Sequence, residues 1–69
     1  MERTPVDSSN ISSIGFDEDS QTLEIEFHSG AVYQYFDVPF HIYEGIMNAA
    51  SKGQYFAQNI KGYYRYVKI

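Results

Sequence analysis

Between positions 52 and 68, cations and aromatic rings interleave: Lys52, Tyr55, Phe56, Lys61, Tyr63, Tyr64, Arg65, Tyr66 and Lys68. Cationic side chains neutralise phosphates and aromatic faces stack bases, each stacked base contributing about 1–3 kcal/mol. These residue types together suit a single-stranded nucleic acid, RNA first among them. Lys52, Lys61, Tyr63, Tyr64, Arg65, Tyr66 and Lys68 are therefore the candidate binding residues. A plainer reading stands beside this one. Tyr55, Phe56 and alternate strand tyrosines would be core, and Lys52 and Lys61 would complement the dipoles at helix C-termini. Four cations also keep affinity low and salt-sensitive, because each neutralised phosphate releases one counterion.

The other chemistry-bearing residues point away from catalysis. Glu24 and Glu26 share a strand face, roughly 7 Å apart at a rise of about 3.3 Å per residue. Paired carboxylates serve acid–base chemistry only inside a concave site. Nothing around these two implies one, so they read as a solvated outer face. Asp17 and Asp19 begin like a calcium loop, but the sixth position is Thr22 where glycine is required, and the twelfth is His28 rather than Glu. That segment reads as a polar turn. His28 and His41 lack cysteine partners and read as surface histidines. Ser8-Ser9 and Ser12-Ser13 lack a nucleophile-elbow context and read as turn or capping hydroxyls. No catalytic residue, metal ligand or cofactor site is assigned.

The chain around these residues is short. Its 69 residues make one domain, 43% of them hydrophobic, with seven Tyr, five Phe and no Cys. Without disulfides or thiolate metal sites, packing must hold the fold. A chain this size reaches a total stability of about 3–10 kcal/mol. No apolar run approaches the roughly 18 residues of a membrane span. Met1-Glu2-Arg3-Thr4-Pro5 carries no apolar signal core. A cytoplasmic monomer, away from membranes, is the expectation. The net charge of −4 argues against a strongly basic nucleic-acid binder. Its distribution is uneven, however. Residues 1–44 hold all nine acids against Arg3, and residues 45–69 hold four cations and no acid. Either the basic part faces an anion, or the two parts attract each other in the fold.

Periodicity supplies the elements. Residues 1–10 read as an N-terminal arm tied down by Val6, and residues 11–69 as the folded domain. Residues 11–17 read as a strand with Ile14 and Phe16 on one face. Leu23, Ile25 and Phe27 alternate with Glu24, Glu26 and His28, the period of a half-buried strand. A third strand spans 31–36, so the three form an antiparallel meander. Helical spacing then takes over at Val38, Ile42, Ile46 and Ala49, predicting a helix over 39–50 with Pro39 at its first position. Gly45 weakens that helix by about 1 kcal/mol relative to Ala, which points to close packing on the sheet. Gly53 suits a left-handed cap closing this helix. Ser51 and Gln54 instead have capping-box spacing for a second helix ending near Lys61, with Gly62 as terminator. Alternation returns over 63–69 as a strand rejoining the sheet. The fold class is α+β, a small single domain in the order β-β-β-α-α-β, with both helices on one face of the sheet.

This order of residues resembles the KTSC domain, a short module at the C-terminus of some lysyl-tRNA synthetases that also occurs as a stand-alone bacterial protein. The matching residues run from Val6-Asp7-Ser8-Ser9-Asn10-Ile11 through Ile14-Gly15-Phe16-Asp17 and Leu23-Glu24-Ile25-Glu26-Phe27. They continue with Tyr33-Gln34-Tyr35, Val38-Pro39, Tyr43, Ala50-Ser51-Lys52-Gly53-Gln54-Tyr55-Phe56 and Asn59-Ile60-Lys61. Phe16 stands where the family often has Tyr. The resemblance implies a module without an established activity and with a suggested role in RNA binding; the synthetase body is missing, so aminoacylation does not carry over. Among its motif residues, Ser8, Ser9, Tyr33, Tyr35, Pro39 and Gly53 read as structural. The reading is a non-catalytic RNA-binding module, and the alternative is a protein-interaction adaptor using the acidic strand face or an exposed sheet edge.

One turn decides where Tyr33 and Tyr35 point. A two-residue turn at Ser29-Gly30 pairs Phe27 with Val32 and sets both tyrosines on the Glu24/Glu26 face. A three-residue loop, with Gly30 left-handed, pairs Phe27 with Ala31 and sets both on the apolar face. The second register is favoured, because it also places Gln34 opposite Glu24 rather than beside Ile25.

Overall fold

The alternating segment at 22–27 forms the centre of the sheet. In the computed structural model, which describes all 69 residues, five strands and two helices follow one another. They are β1 (Thr4–Pro5), β2 (Ile11–Asp17), β3 (Thr22–Phe27), β4 (Val32–Tyr35), α1 (Phe40–Asn48), α2 (Lys52–Asn59) and β5 (Tyr66–Lys68). The strands make a single antiparallel sheet in the order β1-β2-β3-β4-β5. Alternate residues Ile14, Leu23, Ile25 and Tyr35 meet Ile46 of α1 and Phe56 and Ile60 at α2, with Ile11 and Val38 closing the core. Both helices thus cover one face.

The loop after β3 takes the three-residue form. The Phe27 amide donates to Ala31 O at 2.9 Å, and Gly30 has φ +95°, where a β-carbon would be strained. Leu23 therefore pairs with Tyr35, Glu24 with Gln34, and Ile25 with Tyr33. Both tyrosines lie on the helix-facing side.

Several boundaries move for local reasons. Residues 1–10, read as an arm, run along β2: Thr4 pairs with Ile14, Pro5 with Ser13, and the Val6 amide donates to Ser12 O at 3.1 Å. Proline is tolerated there because the strand lies at the sheet edge. Pro39 is the N-cap of α1, one position before its expected place, with extended backbone. The α1 helix stops at Asn48, and Ser51 caps α2 by accepting from the Gln54 amide at 3.3 Å. Gly53 is consequently in the first turn of α2 and does not close α1. Gly45 packs against α2 rather than the sheet, since a β-carbon there would overlap the Tyr55 hydroxyl and ring. Helix α2 ends at Asn59, and Ile60–Tyr63 forms a turn in which Gly62 has φ +87°. That turn uses up the start of the expected last strand, leaving β5 with Tyr66–Lys68 alone.

Candidate functional site

The two faces of the sheet carry different chemistry. On the face away from the helices, Glu24 is only 5% exposed, which overturns its reading as a solvated residue. Arg3, delivered by β1, bonds the Glu24 carboxylate and reaches Ser13 Oγ at 3.0 Å. Gln34 Nε2 donates to Glu24 Oε1 at 2.8 Å, and Ser13 Oγ donates to Glu26 Oε1 at 3.0 Å. Burial alone would raise the Glu24 carboxyl. The Gln34 and Arg3 hydrogen bonds, then the charges of Arg3 and the N-terminus, outweigh it and hold the group below its usual value. Every buried polar side-chain atom in the molecule has a partner. The carboxylate pair is thus committed to structure.

On the helix-facing side, the helices stop short of the β4–β5 edge. A groove of about 550 Å³ opens there, with Phe27, Tyr33, Tyr35, Phe56 and Tyr66 as its aromatic wall and Asn10, Ser29 and Lys61 among its polar lining. Pairing across β4 and β5 creates the wall. Tyr35 is opposite Tyr66, and Tyr33 is opposite Lys68, so all four side chains share this face. Ring centroids of Tyr33 and Tyr66 are 5.8 Å apart, as are those of Tyr35 and Tyr66, while Tyr33 stacks on Tyr35 at 6.3 Å. Phe56 supports Phe27 and Tyr35 edge-on at 5.4 and 5.6 Å. Tyr35 is the buried floor and Tyr66, 63% exposed, is the rim. Burial, then the neighbouring Tyr33 and Tyr66, pushes the Tyr35 hydroxyl up to about 12. It stays protonated at neutral pH and cannot act as a base.

The seven candidate tail residues do not form one surface. Lys61 and Tyr66 line the groove with Tyr33 and Tyr35, and Lys68 pairs opposite Tyr33 on the same face of the sheet. Tyr63 is exposed beyond it and Tyr64 packs back on the core. Arg65 is turned to the opposite side of β5. It bonds Asp37 Oδ2 at 3.0 Å and lies 5.3 Å over the Phe36 ring. Lys52 sits apart, donating to Ala49 O at 3.2 Å beside the end of α1, a contact of the helix-dipole kind. Ser8 Oγ accepts the amides of Asn10 and Ile11, both at 3.2 Å, and fixes the turn into β2, while Ser9 stays exposed. Phe27 and Phe56 belong to the wall although neither was singled out as a groove residue. The signal for them was the β3 alternation and the α2 spacing, which marked both only as core.

The profile of the KTSC domain matches residues 7–64. This chain belongs to the KTSC domain family. A KTSC domain protein from Yersinia pestis has the same fold, with a TM-score of 0.96 and 46% identity over 99% of this chain and 96% of that one. An uncharacterised protein of Stutzerimonas stutzeri is 41% identical over 70 residues, spanning all of this chain and 99% of its own length. The lysine–tRNA ligase of Nostoc sp. is 43% identical over 63 residues, 91% of this chain. The chain spans only 11% of that ligase. The KTSC module therefore occurs both alone and as a small part of a much larger protein.

Proposed function

We propose that this KTSC domain is a binding module for single-stranded RNA, and that the tyrosine-walled groove is its contact surface. The observation that carries the reading is the meeting of Tyr33, Tyr66, Lys61 and Lys68 on one open face. Tyr66 offers an exposed ring for stacking, Lys61 lines the same groove, and Lys68 stands opposite Tyr33 on the same sheet face, so both are cations for phosphates. Lys61 and Lys68 have no carboxylate partner, whereas Arg3 and Arg65 do. The lining of the groove contains no carboxylate or imidazole, which suits a binding role better than a catalytic one. Relatives that carry the module are named lysine–tRNA ligases, so one setting of the family is a protein that works on RNA. Relative to the basic tail read from sequence, Lys52, Tyr63, Tyr64 and Arg65 fall outside the groove and Tyr33 joins it.

The test is titration of labelled single-stranded RNA at low salt. Wild-type protein should bind and should release the RNA as salt rises. Combined Lys61→Glu and Lys68→Glu substitution should abolish binding with unchanged circular dichroism, and Arg65→Glu should leave most of it. Absence of binding by the wild type at low salt rejects the proposal.

A further inference from the structure

One edge of the sheet is closed and the other is open. The β1 edge is two residues long and contains Pro5, which has no N–H to offer a further strand. The β5 edge is different, and its residues alternate in use. The Ile69 amide donates to Val32 O at 2.8 Å, the Phe36 amide donates to Arg65 O at 2.9 Å, and Val67 pairs with Gln34. Arg65, Val67 and Ile69 therefore turn their backbone groups to β4. Tyr66 and Lys68 turn theirs the other way, where the sheet has no further strand. Three of the six exposed large hydrophobic residues of the molecule stand on or beside this strand: Tyr66 on the groove side, and Val67 and Ile69 on the helix-free side.

We infer that the β5 edge pairs antiparallel with β5 of a second copy of this chain, about a two-fold axis at Val67, so that two five-stranded sheets join edge to edge. The pairing does not depend on RNA binding, because strands side by side leave both groove faces open. Outward-turned residues must meet outward-turned residues, so Tyr66 and Lys68 exchange the hydrogen bonds. Setting Lys68 against Lys68 would put like charges opposite each other, which destabilises a sheet. Setting Tyr66 against Tyr66 would run Lys68 past the strand onto Tyr64, which packs back on the core. Setting Tyr66 against Lys68 uses all of β5. Each ring then has a cation of the second copy beside it. The two Val67 side chains meet at the axis as a non-hydrogen-bonded pair, the closer of the two kinds. Arg65 stands opposite Ile69, with its charge already taken by Asp37 and lying over Phe36. No like charges face each other, so the strand is complementary to itself, and this selects a second copy as the occupant. A three-residue strand buries well under the roughly 1,200 Å² at which stable interfaces begin. The chain is therefore a monomer when dilute and pairs as its concentration rises.

The experiment is sedimentation velocity on the full chain at rising concentration, with Val67→Glu, Val67→Lys and their equimolar mixture beside the wild type. Val67 is exposed on the helix-free face, so both variants should keep the wild-type circular dichroism. Wild-type protein should pass from monomer to dimer and stop there, because each copy has one open edge. Either variant alone should stay monomeric where the wild type has dimerised, since like charges then meet at the axis. Mixing the two variants should restore the dimer, with opposite charges at the same place. In amide NMR spectra of the wild type, the signals of Tyr66 and Lys68 should move with concentration while those of β1 stay. A wild type that remains monomeric at millimolar concentration overturns the inference and leaves the edge to a strand of a different protein. Growth beyond the dimer overturns it, because a second surface is then in use. Dimers that survive in either variant alone, a mixture that stays monomeric, or concentration shifts away from β5 each overturn it by removing Val67 from the axis.

Discussion

Glu24 changes role between sequence and structure because of one residue far away in the chain. Its period-two position places it on the polar face, which the alternation made plain. Its burial follows from Arg3, twenty-one positions earlier, bonding it from just before a two-residue edge strand. No local pattern encodes that contact, since Thr4-Pro5 is too short to show a period and proline is a poor strand former. The same network makes a testable prediction. Arg3→Ala should lower stability by about 1–3 kcal/mol near neutral pH, the scale of a lost hydrogen bond to a charged group. The partly exposed guanidinium keeps the loss below that of a fully buried pair. Because Glu24 titrates below its unfolded value, its contribution is complete above about pH 4.5 and is lost as pH falls through the native value. Denaturant midpoints of wild type and Arg3→Ala should therefore converge in acid. A gap that stays constant down to pH 2 would place the effect of Arg3 elsewhere, in the packing of its stem on Gly15.

At the scale of elements, the signals that are local in the sequence are the ones the fold obeys. The switch from period two to helical spacing located α1, and Ser51 with Gln54 located the start of α2. The register of β4 followed from glycine at the third loop position and from the need to keep Gln34 beside Glu24. Lengths were less legible, because they depend on where the chain must turn in space. Tyr63 alternates with its neighbours as a strand would, yet its amide is used in the turn after α2. The helix–helix contact was also hidden, since Gly45 signals closeness without naming the neighbour. Gly45→Ala therefore sets two effects against each other. Alanine favours the helix by about 1 kcal/mol, but its methyl group displaces the Tyr55 ring, and overpacking costs about 1–3 kcal/mol. The net expectation is a loss of up to about 2 kcal/mol by chemical denaturation. In a Tyr55→Ala background the overlap vanishes, and the same substitution should stabilise by about 1 kcal/mol. A loss of equal size in both backgrounds would show that Tyr55 is not the obstacle.

At the scale of the molecule, the division of charge has an outcome that neither part of the sequence contains. Attraction between an acidic and a basic part accounts for one contact, Arg65 with Asp37; the other ion pairs link Arg3 to Glu24 and Glu26 within the acidic part. Lys61 and Lys68 remain without a carboxylate partner; Lys61 lines the groove and Lys68 pairs opposite Tyr33, one of its wall residues. A molecule of net charge −4 repels a polyanion over most of its surface, so contact is confined to the one face where these two lysines stand. Two phosphate contacts on a single strand give a slope of log affinity against log salt of about −1.4, at roughly 0.7 per neutralised phosphate. Replacing either Lys61 or Lys68 with Ala should bring the slope to about −0.7. Arg65→Ala should leave it unchanged, since Arg65 faces the other side of β5 and is occupied by Asp37. A slope near −3 in the wild type, or a flattening in Arg65→Ala, would mean that the nucleic acid crosses the β5 edge and uses both faces of the sheet.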